Sequence, residues 1–191
     1  MATSQTGADN GAASEEATLG TPRRHFNAHL GTIVHWAIGE CLRRADGSAI
    51  GALALRDIVI AEAMAADPLR TDRRRGLLLA RSIVSAYLRQ WQWPDPWAFV
   101  ASERCTGRGR RTDLVFENRD TGAFVADELK TGSRPVGCLS ADEANQLTVY
   151  LADLREEFGH ALAGVRLVRL GSPSHSRFYS SQSDVLNEAV A

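Results

Sequence analysis

Two acidic residues and one lysine are spaced along the chain so that they could share a hydrolytic site. In the predicted strand 124–130, Glu128 and Lys130 are two residues apart and therefore point to the same face. Asp113 lies in the preceding predicted strand, which a hairpin would place beside Glu128. Neighbouring carboxylates repel each other unless a cation bridges them, and Mg²⁺ or Mn²⁺ prefers oxygen ligands. The spacing predicts a divalent cation at the acids, with the ammonium beside a phosphate or an attacking water.

Plainer interpretations exist for each of these residues. Glu128 and Lys130 could form a solvated pair at a strand edge, and Asp113 could pair with Arg110 or Arg111. Composition favours the functional interpretation of the lysine, because Lys130 is the only lysine among 22 Lys and Arg residues. The planar guanidinium of arginine cannot replace a compact ammonium everywhere. A lysine kept in such an arginine-rich chain favours a site that needs one, and chance is the alternative that composition leaves open.

Three more polar residues could complete the site. His35 lies beside the apolar stripe of the first predicted helix, with Gly31 one turn earlier, where a glycine would let another backbone approach. Gln146 and Tyr150 are four residues apart, so they share one face of a later predicted helix. A lone histidine or a tyrosine at helical spacing is more often part of the core, and that alternative stays open.

The helices that would position these residues are visible as apolar residues at helical spacing. Such spacing predicts three helices, at about 30–45, 51–66 and 74–91. Ser140 and Glu143 form a predicted capping box, which begins a fourth helix that runs to about Phe158.

The strands are short segments rich in Val, Phe and Leu that are separated by Gly and Asn/Asp turns. They are predicted at 97–105, 111–117, 123–131 and 164–170, with a further candidate at 175–180. The first three follow one another directly and indicate a three-strand meander. Together with the helices they predict an α/β domain.

Length and composition point to one folded domain with two tails. The chain has 191 residues with 44% hydrophobic and 24% charged residues, values ordinary for a globular protein. Residues 1–22 lack large apolar side chains and predict a flexible tail, and residues 181–191 predict a second tail. No apolar run reaches the roughly 18 residues of a membrane span, and no secretory signal is visible. We therefore expect a cytoplasmic protein with no membrane partner.

Cysteines and nucleotide motifs exclude several classes of function. The three cysteines, Cys41, Cys105 and Cys138, are scattered, so they predict neither a disulfide framework nor a zinc or iron–sulfur site. A phosphate-binding GxxxxGK[ST] motif is also missing from the sequence, which argues against a nucleotide-driven motor within this chain.

Charge is distributed unevenly although the formal net charge is only −1. Residues 1–22 contribute three acids and no base, so the body carries a small positive charge. Its arginines cluster at 70–75 and 104–111. Such clusters suit a nucleic-acid enzyme about as well as a solvated surface.

Two other features have competing interpretations. The segment 91–97, WQWPDPW, could stack single-stranded bases, but we interpret it as a proline-stiffened connector whose tryptophans cap the core. Glu103, on the strand before Asp113, could be a further acid at the site, although a plain surface role is favoured.

Four short segments occur in a fixed order along the body. They are LGTIVH (30–35), GRRTDLVF (109–116), VADELKTG (125–132) and QLTVY (146–150). In this order and spacing they resemble the RecB-like branch of the PD-(D/E)XK nuclease superfamily, over roughly residues 23–170. Lys130, the lone lysine, falls on the motif lysine of that family.

The resemblance implies a fold and an activity. The fold would be a restriction-endonuclease-like core over residues 23–180, in which a mixed central sheet with a three-strand meander is flanked by helices and preceded by N-terminal helices. The activity would be Mg²⁺- or Mn²⁺-dependent hydrolysis of phosphodiesters in DNA. An exonuclease that acts on DNA ends or single strands, in repair, recombination or defence, fits best.

The resemblance also implies roles for individual residues. Asp113 and Glu128 would hold the metal, with the Leu129 carbonyl as a third ligand and His35 as a further one. Lys130 would position or polarise the attacking water, while the remaining pair, Gln146 and Tyr150, would orient the lysine and the DNA backbone.

Two departures from the family pattern affect the details. Gly109 lies four residues before Asp113 instead of the usual three, and Asp127 stands next to Glu128 as a rival ligand, although strand alternation favours Glu128. The iron–sulfur cluster of some relatives is not expected, because no cysteine follows Cys138. A separate helicase could act as a partner.

Two alternatives to an active nuclease remain. The chain could be a catalytically silent subunit that keeps the fold and binds DNA or protein within a larger complex. It could also be an unrelated α/β domain whose matches to the motifs are coincidental. Every motif position is filled, which favours the active enzyme.

Overall fold

The computed structural model describes residues 22–66, 73–90, 93–131, 139–171, 176–183 and 185, and within them the chain forms four α-helices and five β-strands. The helices are α1 (Pro22–Arg44), α2 (Ala49–Ala66), α3 (Arg73–Gln90) and α4 (Ala141–Phe158). The strands are β1 (Trp97–Cys105), β2 (Arg111–Asn118), β3 (Phe124–Lys130), β4 (Leu162–Arg169) and β5 (Arg177–Ser180). The predicted α/β class is confirmed.

The five strands form one mixed sheet in the order β1-β2-β3-β4-β5. Neighbouring strands are antiparallel except β3 and β4, which are parallel. A parallel pair needs a long crossover between its strands, and α4 lies in that connection. The predicted three-strand meander is therefore present as β1, β2 and β3.

Helices cover both faces of the sheet. Alternation along β3 places Val125 and Leu129 in a core shared with α1, α2 and α3, whereas Ala126 belongs to a second core shared with α4. Burial of apolar side chains on both faces is the main contribution to stability of such a layered fold.

Two glycines allow α1 to lie close to the sheet. A Cβ atom at Gly39 would be only 2.5 Å from Ser102 Cβ on β1. A Cβ atom at Gly31 would be 3.0 Å from the Oγ1 of Thr131, just after β3. Gly31 therefore permits a close approach, but by the side chain of Thr131 and not by another backbone as predicted, and this contact joins the middle of α1 to the end of β3.

A capping box fixes the start of α4, as predicted. The Glu143 N–H donates to Ser140 Oγ at 3.2 Å, and the Ser140 N–H donates to Glu143 Oε2 at 3.0 Å. These bonds satisfy two backbone donors that a helix start otherwise leaves unpaired. The cap thereby sets the rotation of α4 and the direction of the polar residues on its first turns.

The boundaries differ from the sequence predictions mainly in α1, which begins at Pro22 and not near residue 30. Proline suits the first turn of a helix because its φ is already helical and its missing N–H would be unpaired there. Apolar periodicity could not reveal this polar first part of the helix. The predicted N-terminal tail otherwise lies outside the described residues. The predicted tail at 181–191 is wrong where the structure describes it, because Val185 is 1% exposed and packs in the core shared with α4.

The connector before β1 packs on the core. Trp93 and Trp97 lie with their ring centroids 5.3 Å apart, and both pack against the core beneath α1–α3. The interpretation of these two tryptophans as core caps is confirmed. Trp91 lies outside the described residues.

Candidate active site

The site begins where β2 and β3 separate. Their backbone ladder ends at the pair Leu114 and Asp127, and the side chain of Asp113 occupies the gap beyond it. Asp113 Oδ2 accepts a hydrogen bond from the Leu129 N–H at 2.7 Å. The N–H and C=O of a residue in an extended strand point to the same side, so the Leu129 carbonyl also faces the gap. The Asp113 carboxylate thus takes the place of a backbone carbonyl of β2 as the acceptor for the Leu129 N–H, and this bond holds it where the β2–β3 ladder ends.

His35 reaches the same carboxylate from α1. His35 Nδ1 donates to Asp113 Oδ1 at 3.1 Å. Burial of the imidazole opposes its charged form, but the hydrogen bond and negative charge of Asp113 outweigh this and raise the pKa of His35 above its ordinary value. Asp113 therefore does not pair with Arg110 or Arg111, the plainer alternative for that residue.

Glu128 and Lys130 form a close pair on the face of β3 that points towards α4. Lys130 Nζ donates to Glu128 Oε1 at 2.7 Å and to Gln146 Oε1 at 3.0 Å. Burial and the nearby charge of Asp113 raise the pKa of Glu128 above its ordinary value, even though Lys130 acts in the opposite direction. The two acids are therefore close enough for their charges to interact, as the sequence predicts.

Tyr150 closes the site from α4. Its side chain is 5% exposed, and its hydroxyl is buried next to the side chain of Thr112 and the backbone of Asp113. Burial, reinforced by the Glu128 carboxylate, raises the pKa of Tyr150 well above its ordinary range, so the hydroxyl keeps its proton. Tyr150 is therefore a proton donor at the wall of the site.

Two adjacent cavities collect the predicted site residues. One has a volume of about 370 Å³, and its lining includes His35, Asp113, Glu128, Gln146 and Tyr150. The other has a volume of about 550 Å³, and its lining includes Lys130, Leu129 and again His35. The structure therefore brings together all seven residues predicted from the sequence.

Asp127 is separated from this site, although it is the neighbour of Glu128. It is completely buried and accepts hydrogen bonds from Tyr87 Oη at 2.6 Å, from Trp93 Nε1 at 3.0 Å and from Arg166 Nη2 at 2.6 Å. Its oxygens are used on the face that carries α1–α3. Of the two acids, Glu128 is the one that faces the cavity.

Glu103 lies near the site and also has the features of the favoured surface role. It lies on β1 between the pairs Ser102–Leu114 and Arg104–Thr112, which places it beside Asp113. Its side chain is 37% exposed and pairs with Arg111 at 3.5 Å. Its φ of 50° is in the left-handed region, which non-glycine residues seldom adopt, and it lines the 550 Å³ cavity. Backbone strain of this kind concentrates at functional sites, and the sequence carries no signal for it.

The arginine cluster at 104–111 does not form an open basic patch. Each arginine has an acidic partner within 3.5 Å, in the pairs Arg104–Glu157, Arg108–Glu156, Arg110–Asp153 and Arg111–Glu103. Acids of α4, distant in sequence, supply three of these partners. The expectation of local positive charge fails here because the tertiary fold pairs the cluster. Arg74 and Arg75 are exposed on α3, and Arg70 lies outside the described residues.

The donor set suits a hard divalent cation in its chemistry. Two carboxylates, an imidazole and a backbone carbonyl face one gap, and burial together with the charge of Asp113 raises the pKa of Glu128, a cost that a bound cation would reduce. Among the described residues, however, His, Cys, Asp and Glu side chains form no group of three or more arranged to hold a metal ion. Ion pairs and hydrogen bonds within the site occupy these groups instead.

Several side chains at the cavities were missed by sequence reasoning, among them Arg110, Arg111 and Trp36. Trp36 follows His35 on α1 and lines the 550 Å³ cavity. An aromatic residue beside a candidate ligand was the available signal, but helical spacing could not tell whether it faced the core or the cavity.

Comparison with known proteins gives no family for the chain. No family model, no curated protein and no solved structure matches it. Within the described ranges, each helix is too short or too polar to cross a membrane. Functional inference therefore depends on the site itself.

Proposed function

We propose that the chain is a divalent-cation-dependent DNA nuclease with a restriction-endonuclease-like core. One observation carries this proposal: α1, β2, β3 and α4 each place a polar residue of the motif set on one pair of adjacent cavities. Coincidental matches to motifs would have no reason to meet in space. This combination of acids, imidazole and lysine suits the hydrolysis of phosphodiesters best, and DNA is the proposed substrate.

Asp113 and Glu128 would hold the Mg²⁺ or Mn²⁺ ion, with His35 and the Leu129 carbonyl as further ligands. When bound, the cation supplies positive charge that offsets the negative charge of the phosphodiester. His35 must give up its proton to act as a ligand, and Asp113 favours the protonated imidazole. Proton and metal therefore compete at His35, so the proposed affinity for metal falls at low pH.

Lys130 is the group proposed to act on the substrate. Its ammonium already donates to Glu128 and Gln146, which hold it at the boundary between the two cavities. From there it can position an attacking water and stabilise charge that develops on the phosphate oxygens. Gln146 orients the ammonium, while the hydroxyl of Tyr150, which keeps its proton, can donate to a phosphate oxygen.

A catalytically silent DNA- or protein-binding subunit is the second candidate, and one observation favours it. The charged groups of the site already satisfy one another through the pairs His35–Asp113 and Lys130–Glu128. A site of this kind could be stable without a metal and without turnover.

Cleavage assays on the full chain separate the two candidates. Labelled linear, circular and single-stranded DNA are incubated with Mg²⁺ or Mn²⁺ beside an EDTA control, and Mn²⁺ binding is measured by calorimetry. An active nuclease cleaves at least one substrate with metal and none in EDTA. Metal-dependent loss of linear but not circular DNA identifies an exonuclease. Undiminished cleavage in chelator, or no cleavage together with no Mn²⁺ binding, contradicts the proposal.

The histidine gives a finer test of the ligand set. His35→Ala should weaken Mn²⁺ binding more than Mg²⁺ binding, because imidazole suits the softer ion. His29→Ala, which changes a histidine on the same helix, is the matched control. Equal affinities for both metals in parent and variant would return His35 to a purely structural role.

A further inference from the structure

Trp36 is an exposed aromatic residue at the edge of the candidate active site. It follows His35 directly on α1, and 39% of its surface is accessible, although large apolar side chains are normally covered. One such residue on a surface is common. Its position between two cavities of different chemistry is what distinguishes it.

The first of these cavities carries charged side chains and belongs to the candidate active site. It has a volume of about 550 Å³, and its lining combines Trp36 and Lys130 with the ion pair of Arg111 and Glu103. Glu128 and Gln146 accept two of the three donors of the lysine, and the third suits an anionic oxygen.

The second cavity shares Trp36 with the first and is mainly apolar. It also measures about 550 Å³, and Ile33, Ala63 and Ala66 line it together with Trp36. Glu62 lies at its border, but Arg44 pairs with that carboxylate at 2.6 Å, so its negative charge is compensated.

A nucleotide has the same two-part chemistry as this pair of cavities. Its phosphate is anionic, and its base is a flat ring that stacks on aromatic side chains. We infer that Trp36 is a stacking platform for a nucleobase of a single-stranded substrate whose neighbouring phosphate lies beside Lys130. This inference rests on the proposed nuclease function for the place of the phosphate.

The platform would select the form of DNA that the site accepts. In a duplex both faces of each internal base are covered by neighbouring bases, so an internal base cannot stack on Trp36 without leaving the helix. A single strand or a frayed end offers a free face at no such cost. The site would therefore prefer single strands and frayed ends to intact duplex.

Binding measurements in EDTA test the platform without any need for cleavage. Fluorescence anisotropy with a short labelled single strand compares the parent with Trp36→Ala, Trp36→Leu and Trp36→Phe. We expect Trp36→Ala and Trp36→Leu to bind about 10- to 100-fold more weakly, the loss typical of one stacked base, and Trp36→Phe to stay within a few-fold of the parent. Ile58→Ala, which removes another exposed apolar side chain on α2, should bind like the parent. Thermal melting confirms that each variant is folded.

An abasic substitution, moved along the strand one position at a time, locates the stacked base. At one position the parent should lose affinity while Trp36→Ala does not, because the two changes remove the same contact. Equal binding by parent and Trp36→Ala overturns the inference, as does a loss in Trp36→Phe as large as that in Trp36→Ala.

Cleavage assays on the same variants separate this inference from the proposed function. Binding that depends on Trp36 without any metal-dependent cleavage supports the platform and contradicts the nuclease. Cleavage that is equal in parent and Trp36→Ala, on single strands and on duplex alike, supports the nuclease and overturns the platform.

Discussion

Two neighbouring carboxylates on β3, Asp127 and Glu128, have opposite surroundings. Asp127 is completely buried, and Tyr87, Trp93 and Arg166 all donate hydrogen bonds to it. Glu128 points to the other face of the sheet, where it lines a cavity with a second acid nearby. Because adjacent residues of a strand point to opposite faces, Asp127 has hydrogen-bond donors around it, whereas burial and the like charge of Asp113 raise the pKa of Glu128.

The comparison teaches where this fold tolerates unfavourable charge. The network around Asp127 has the features of a group that stabilises the fold. It consists of short hydrogen bonds and an arginine, Arg166, whose guanidinium lies 4.4 Å from the centre of the Trp93 ring. The surroundings of Glu128 cost stability, and proteins seldom keep such costs outside functional sites. The two acids should therefore respond to mutation in opposite ways.

We expect the largest effect from Glu128→Gln, and we expect it on the rate of DNA cleavage. Removing this charge should reduce metal-dependent DNA cleavage to background while the protein stays folded, because the proposed cation loses a ligand. Release of label from DNA and circular dichroism measure the two properties. Glu117→Gln, on β2 and outside both cavities, is the control and should cleave like the parent. Full activity in Glu128→Gln would remove Glu128 from the site.

We expect Asp127→Asn to destabilise the fold and to leave the rate of cleavage unchanged. The free energy of unfolding should fall by about 3–5 kcal/mol, since the variant leaves Arg166 without its buried negative partner. Chemical denaturation measures this, and Asp120→Asn in an exposed turn should change it by less than about 0.5 kcal/mol. Cleavage per folded molecule should be unaltered. If Asp127→Asn were stable and inactive, the assignment of the two acids would have to be exchanged.

Lys130→Arg tests whether the site needs an ammonium or only a positive charge. We expect normal folding, retained binding of Mn²⁺ and DNA, and a cleavage rate at least about 100-fold lower, as for the loss of one group that stabilises the transition state. The guanidinium is larger and planar, so it cannot occupy the place of Nζ between Glu128 and Gln146. Single-turnover kinetics measure the rate. A decrease of only a few-fold would place Lys130 outside the chemistry and favour the binding subunit.

The smallest effect concerns the pH dependence of stability. Because the folded-state pKa of Glu128 is raised, the folded protein retains the proton more tightly than the unfolded chain does. Stability of the parent should therefore fall, relative to Glu128→Gln, as pH rises from the ordinary glutamate range through the raised pKa. At neutral pH and without metal, the variant should melt higher by no more than about 4 °C, the shift caused by 1 kcal/mol in a chain of this size. A lower melting temperature for the variant would show that the pair with Lys130 outweighs the repulsion.

Much of the architecture could be predicted because its signals are local. The capping box of α4, the turns between the meander strands and the helical stripes each depend on residues within a few positions of one another. The start of α1 could not be found this way, since its first turns carry no apolar stripe. The restriction-endonuclease-like description stays a prediction, because nothing beyond the α/β class and the mixed sheet tests it.

The candidate site was predictable in its members but not in its pairings. Strand alternation alone put Glu128 and Lys130 on one face, and helical spacing put Gln146 and Tyr150 on another. The pairing of Asp113 with His35 joins residues 78 positions apart. Nothing in local periodicity specifies such a contact.

The sequence by itself determined the order of the elements, the shared face of Glu128 and Lys130 and the identity of the one lysine. Only the tertiary structure decided which of these residues meet. It separated β2 from β3 so that Asp113 could accept bonds from His35 and Leu129, and it neutralised the arginine cluster with acids of α4. The physical reason is range: backbone preferences act between near neighbours in sequence, whereas ion pairing and burial act between any groups that packing brings together.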